Sequence, residues 1–184
     1  MKKVAITIAI LAATGSVAAN ANVTGASTTL TKNITQECNI GLWAVGDDGS
    51  VGTPVSEVGN EYFHSELNDF EQNGQQITGR AKCNSSGGYD VHVTATNGSL
   101  NNNDSSIARE VEYTLQKINT SPNFNAHADF NSPVDMPQGT AKLLGSGTDT
   151  ELAEFKLKMK LAPGAKFTYA GQYTETLTFD LTPL

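Results

Sequence analysis

The run Tyr173-Thr174-Glu175-Thr176-Leu177-Thr178-Phe179-Asp180-Leu181-Thr182 alternates strictly. Tyr173, Glu175, Leu177, Phe179 and Leu181 fall on one side, and Thr174, Thr176, Thr178, Asp180 and Thr182 on the other. A period of two is the signature of an extended strand, with one face turned to a core and a threonine face left to water. Upstream, Phe155, Leu157, Met159 and Leu161 alternate in the same way against Glu154, Lys156, Lys158 and Lys160. Tyr89, Val91, Val93 and Ala95 oppose Asp90, His92, Thr94 and Thr96 and run into an Asn97-Gly98 turn. Val111, Tyr113 and Leu115 predict a further strand, as do Ile77, Ala81 and Cys83 after an Asn73-Gly74 turn. Asn101 to Asp104 and Gly145-Ser146-Gly147 read as loops, and the one helical hint, Ser105 to Glu110, is short. Short strands between Gly, Asn and Ser clusters predict an all-β chain, a β-sandwich of Ig-like type.

Composition agrees. The chain of 184 residues has 13 Ser, 21 Thr, 16 Asn and 17 Gly, is 38% hydrophobic and 17% charged, and carries a net charge of −7. That is too apolar for general disorder, and the length suits one domain with an extension. The acidic balance repels phosphate, which argues against nucleic acid and anionic lipid as partners.

The beginning of the sequence reads as an export signal. Lys2 and Lys3 precede an apolar stretch from Val4 to Ala13, and Ala19-Asn20-Ala21 offers a small-x-small cleavage site. A spanning helix needs about 20 apolar residues, and Thr14-Gly15-Ser16 interrupts this one, so no membrane insertion is expected. Removal of residues 1–21 leaves 10 basic against 19 acidic residues, a charge of −9. In an oxidising compartment Cys38 and Cys83, the only two cysteines, read as one disulfide. Zinc is the alternative, but no CxxC or HxxxH lies near either cysteine.

The stretch after the signal is unusual. Thr24, Ala26, Thr28 and Leu30 continue through Ile34, Gln36, Cys38, Ile40 and Leu42 on one β face of about 20 residues, where strands usually run about five or six. The disulfide fixes the second half in the domain. The half before Asn33 admits two readings: a long edge strand or frayed terminus, or an extension that completes a neighbour's sheet. The chain thus divides into a signal peptide (1–21), an N-terminal extension (22–33) and a sandwich domain (34–184).

Several groups of residues together resemble a known family. Val23-Thr24-Gly25, Leu30, Ile34-Thr35 and Cys38-x-Ile40-Gly41 look like the N-terminus of major subunits of archaic, Csu-like chaperone–usher pili, which share the spore coat U domain. Ala81-Lys82-Cys83-Asn84 sits where that family closes its disulfide, and Gly171-Gln172-Tyr173-Thr174-Glu175-Thr176-Leu177 resembles its closing strand. The resemblance covers both ends and the disulfide, and adds little over residues 100–150. It implies an incomplete Ig-like sandwich, one strand short, whose open edge is filled first by a periplasmic chaperone. An outer-membrane usher then exchanges the chaperone for a neighbouring subunit's extension. On that resemblance Thr24, Ala26, Thr28 and Leu30 are donor-strand plugs, and Tyr173, Leu177, Phe179 and Leu181 line the acceptor groove. The implied product is a surface fimbrium supporting adhesion and biofilm formation, built without cofactor or metal.

Other functions have thinner support. His64, His92 and His127 are scattered, no HExxH or GxSxG occurs, and no cysteine is left over as a nucleophile, so no enzyme is expected. Asp47-Asp48-Gly49 and Thr148-Asp149-Thr150-Glu151 suit calcium or, more simply, solvated turns. Trp43 and Tyr62-Phe63 would serve a carbohydrate-binding adhesin or, more simply, the core. A secreted spore-coat-type structural protein is the remaining alternative.

Overall fold

The computed structural model describes residues 29–45, 51–56, 70–102, 109–148 and 150–184. Contacts divide the chain into two units, Met1–Ile34 and Thr35–Leu184. Of the first, residues 29–34 are described; they form no regular secondary structure and are exposed. The signal-peptide reading and the plugs Thr24, Ala26 and Thr28 lie outside the described residues.

The second unit is almost all β. In chain order its strands are β1 (Cys38–Val45), β2 (Val51–Ser56), β3 (Gln75–Cys83), β4 (Tyr89–Ala95), β5 (Leu100–Asn102), β6 (Glu110–Val111) and β7 (Tyr113–Thr120). There follow β8 (Phe124–Ala126), β9 (Val134–Asp135), β10 (Lys142–Gly147), β11 (Ala153–Leu161), β12 (Tyr173–Thr174) and β13 (Leu177–Pro183). One helical turn, α1 (Phe70–Asn73), and a 3-10 turn at Ala128–Asn131 interrupt them. A six-stranded sheet has the order β2-β1-β3-β11-β7-β9, a four-stranded sheet β13-β4-β10-β8, and a small third sheet β12-β5-β6.

The period-two residues explain how the sheets pack. On β4 and β11 the buried positions alternate: Tyr89, Val91, Val93 and Ala95 on one, Ala153, Phe155, Leu157 and Met159 on the other. The two larger sheets meet through these faces. Phe155 of β11 stacks at 5.7 Å on Phe179 of β13 and lies 5.3 Å from Phe124 of β8, joining one sheet to the other in a single core. This is an all-β sandwich.

Cys38 and Cys83 are directly opposed in the β1–β3 register and are bonded to each other. Asn84 extends the clasp, accepting the Glu37 N–H at 2.7 Å and donating to the Thr35 carbonyl at 2.8 Å. The bridge closes a loop of 46 residues, which the chain-entropy argument equates to about 4 kcal/mol. Cys83→Ser should therefore sharply lower the yield of folded protein. Alkylation under non-reducing conditions should find no thiol in the wild type, and two labelled cysteines there would refute the bridge.

Five expectations need correction. The terminal alternation is not one strand: it breaks at Glu175-Thr176, between β12 in the small sheet and β13 in the four-stranded one. The strand through Val111 and Leu115 also breaks, at Glu112, into β6 and β7. Gly145-Ser146-Gly147 is not a loop but the middle and end of β10. Its glycines are there for space, since a Cβ on Gly147 would stand 2.1 Å from the Tyr89 ring and one on Gly145 2.6 Å from the Asn125 carbonyl. Asn101 and Asn102 belong to β5, and Asn102 is buried, donating to the Ala170 carbonyl at 3.1 Å. Nor does the long N-terminal β pattern form one strand: β1 starts at Cys38, and residues 29–37 have no regular structure.

Candidate functional site

The site is built on β13. Its register against β4 runs from Leu177 opposite Ala95 to Pro183 opposite Tyr89. Just beyond either end, Thr96 donates its N–H to the Thr176 carbonyl at 2.9 Å, and Leu184 donates to the Gly88 carbonyl at 3.0 Å. Even-numbered residues are thus the ones whose backbones bond β4. In an antiparallel ladder the residues between them turn their N–H and C=O groups the other way. The backbone groups of Leu177, Phe179 and Leu181 therefore run along the side of β13 away from β4. Among the described residues no strand pairs with that side.

The same three residues point their side chains inward. Phe179 and Leu177 are buried and Leu181 is half-buried, while Asp180 and Thr182 on the opposite face are exposed. Across the sandwich β13 comes close to β1 of the six-stranded sheet. Among the described side chains, the half-buried apolar ones on these two strands are Cys38 and Ile40 on β1 and Leu181 on β13. An unpaired backbone edge thus stands over an apolar floor, between two strands of different sheets. Chemically, such an edge binds extended chain, since backbone donors and acceptors lie in register above a surface that excludes water.

Both ends of the edge are fixed. At one end Pro183 has no N–H to offer, and Leu184 is held by Gly88 and by the Ser85 hydroxyl. At the other stands Glu175, whose carboxylate accepts the Thr176 N–H at 2.7 Å, the Asn97 N–H at 3.0 Å and the Tyr113 hydroxyl at 3.3 Å. Burial first, then the Glu175 charge and the hydrogen bond to it, push the Tyr113 hydroxyl far above its ordinary 10.0. A pKa raised on folding contributes stability that is whole below about pH 10 and is lost as pH rises beyond it. Tyr113→Phe should therefore flatten the alkaline decline in unfolding free energy while costing about 1 kcal/mol at neutral pH. An unchanged alkaline limb would show that Tyr113 does not govern it.

The structure separates the expected groove residues. Leu177, Phe179 and Leu181 share β13, whereas Tyr173 lies on β12, paired with Asn102. The Tyr173 ring packs edge-on to Phe167 at 4.8 Å, and Phe167 packs on Phe70 at 6.2 Å, so Tyr173 anchors the segment before β13. Leu30, the described plug, is 91% exposed. Glu175 escaped the sequence reading as a functional residue, yet its signal was present: it is the one charged residue on the apolar side of the alternation. A carboxylate there must find donors or stay out of the core.

The alternative sites are mostly dispersed. His127 caps the 3-10 turn, its Nδ1 accepting the Asp129 N–H at 3.4 Å, and His92 stands opposite Asp180 in the β4–β13 register. His64, Asp47-Asp48-Gly49, Tyr62-Phe63 and Asp149 lie outside the described residues, and of Trp43 only the backbone, in β1, is described. Among the described residues no three or more His, Cys, Asp or Glu side chains gather as a metal site.

No family model matches the chain, and no curated protein matches it. Among solved structures, it is similar to the minor tip subunit HdaB of the Escherichia coli Hda pilus. The match has 12% identity and a TM-score of 0.37, over 80% of this chain and 89% of that one.

Proposed function

We propose that the chain is an exported structural subunit of a surface fibre, joined to its neighbours by strand complementation. The observation that carries this reading is the outer edge of β13, where the backbone groups of Leu177, Phe179 and Leu181 face away from β4 above their own inward side chains. The donor is the extension over residues 22–33 of a second copy, with Thr24, Ala26, Thr28 and Leu30 directed into the groove. Leu30 and Ile34, 91% and 75% exposed, support a segment whose apolar side chains are used elsewhere. The resemblance at both ends of the sequence points the same way.

The assembly partners follow from the physics of the edge. A strand-short domain with an apolar opening aggregates unless the opening is covered, so a periplasmic chaperone lends a strand and an outer-membrane usher replaces it with the next subunit's extension. The driving force is the folding left unfinished in the chaperone complex, with no nucleotide or metal in the cycle. Expression with and without a chaperone encoded beside this chain, followed by sizing, tests the reading. The expected result is a defined heterodimer with the chaperone, and polymer or aggregate without it. A stable lone monomer that never polymerises would overturn it.

A further inference from the structure

The net charge conceals a local reversal. On β3 and β11 the odd-numbered side chains from Ile77 and Ala153 onward enter the core, and the even-numbered ones lie on the other face of the six-stranded sheet, where Thr78 is itself fully covered. Their register places Arg80 opposite Glu154, Thr78 opposite Lys156 and Gln76 opposite Lys158. Lys82 and Lys160 complete the set; both are exposed, and Lys156 and Lys158 are half-exposed. On β3 and β11 this face holds Arg80, Lys82, Lys156, Lys158 and Lys160, half of the 10 basic residues that follow Lys3, against one carboxylate, Glu154; a second, Asp135, stands two strands from Lys160 on β9. Glu154 is itself taken up by Arg80 at 2.8 Å and Lys156 at 3.2 Å. Burial raises its pKa, but those two cations outweigh burial and hold the carboxyl below its ordinary range.

Three lysines therefore line β11 at alternate positions, about 7 Å apart. The direct cross-strand neighbours of two of them are neutral: Lys158 lies between Gln76 and Gln116, and Lys160 is opposite Thr114, with Asp135 one strand further out. Nor do they protect a sheet edge, the usual structural use of strand lysines, because β11 lies between β3 and β7. Like charges repeated along one strand cost stability. A row of cations kept on a central strand of an otherwise acidic protein fits a use in binding.

We propose that this face binds a carboxylated polysaccharide, a uronic-acid polymer. Lysine ammonium groups suit carboxylates spaced along a flexible chain, and the amide oxygens of Gln76 and Gln116, whose Nε2 groups donate to Thr78 and Asn131, can accept from sugar hydroxyls. Two other occupants fit less well. Nucleic acid has a much denser charge, which the remaining surface repels, and Arg80, the fork-shaped phosphate binder of the face, is bonded to Glu154. A second copy would need a matching row of carboxylates, and among the described strands none has three at alternate positions. The proposal does not depend on strand complementation, since the face lies on a different sheet from β13.

The test is retention of the full-length protein on immobilised polygalacturonate, with neutral dextran and duplex DNA as parallel supports. The wild type should bind polygalacturonate, lose it progressively above about 0.1 M salt as screening shortens, and ignore dextran. The K156Q/K158Q/K160Q variant should bind about tenfold more weakly with a thermal midpoint no lower than that of the wild type. The K142Q/K166Q variant, which removes charge elsewhere, should bind as the wild type does. Equal losses in the two variants, no retention of the wild type, or tighter retention on DNA would each overturn the proposal. A β11 variant that changed oligomeric state and not retention would overturn it in favour of a contact between copies.

Discussion

If subunits join by strand complementation, deletion of residues 22–33 should give a subunit that still folds in complex with a chaperone but forms no polymer. Its β13 edge stays intact, so it still accepts a strand, and mixed with wild type it should cap growing fibres. The substitution pair at the end of the extension sharpens the expectation. Leu30 is 91% exposed in its own chain, so Leu30→Asp should leave the stability of the isolated subunit unchanged. In a neighbour's groove the same carboxylate would lie against apolar side chains without a partner, at several kcal/mol, and polymer should be lost. Thr31, one position along, faces outward in a period-two strand, and Thr31→Asp should be mild. Equal behaviour of the two would show that the plug register is wrong, while normal fibres from the truncated chain would remove the donor role altogether.

Phe179→Ala should be the most damaging single substitution within β13. The side chain is 2% exposed and stacks on Phe155, which reaches Phe124 and ties the two sheets together. Truncation of a buried Phe costs about 3–5 kcal/mol, a large share of the 5–15 kcal/mol typical of a folded domain. Denaturant unfolding of the isolated or chaperone-released subunit measures it. A mutant as stable as the wild type would mean that the core does not depend on this contact.

Much of this architecture is legible in the sequence because burial imposes a period on it. The alternations through Tyr89–Ala95 and Phe155–Leu161 became β4 and β11 with their apolar sides inward. The cysteines were legible for a different reason: two thiols leave only one pairing. What periodicity could not give was continuity. Residues 173–182 keep their alternation through Glu175, but three hydrogen-bond donors capture that carboxylate and the chain passes from one sheet to another there. Gly145 and Gly147 misled in the opposite direction. Glycine usually marks turns, and here it makes room for the Asn125 carbonyl and the Tyr89 ring, neighbours distant in sequence.

Charge was the least legible property. A net −7 argued against nucleic acid and anionic lipid but gave no sign that the pleat gathers Lys156, Lys158 and Lys160 on one side and that the β3–β11 register adds Arg80 and Lys82. Sequence gives the alternation of the lysines, but only strand pairing shows that neutral side chains stand beside two of them. The candidate edge was similarly half visible. Leu177, Phe179 and Leu181 were marked by their apolar side chains, whereas the direction of their backbone groups depends on which residues of β13 bond β4.

That direction supplies the most direct test of strand complementation. A peptide spanning residues 22–36 is added to the subunit lacking residues 22–33, and amide hydrogen exchange is followed along β13. The amides of Leu177, Phe179 and Leu181 should exchange fast in the free subunit and slow down on binding. Those of Thr178, Asp180 and Thr182, already turned toward β4, should be protected throughout. Protection that appeared on other strands, or no change at these three amides despite binding, would contradict the account.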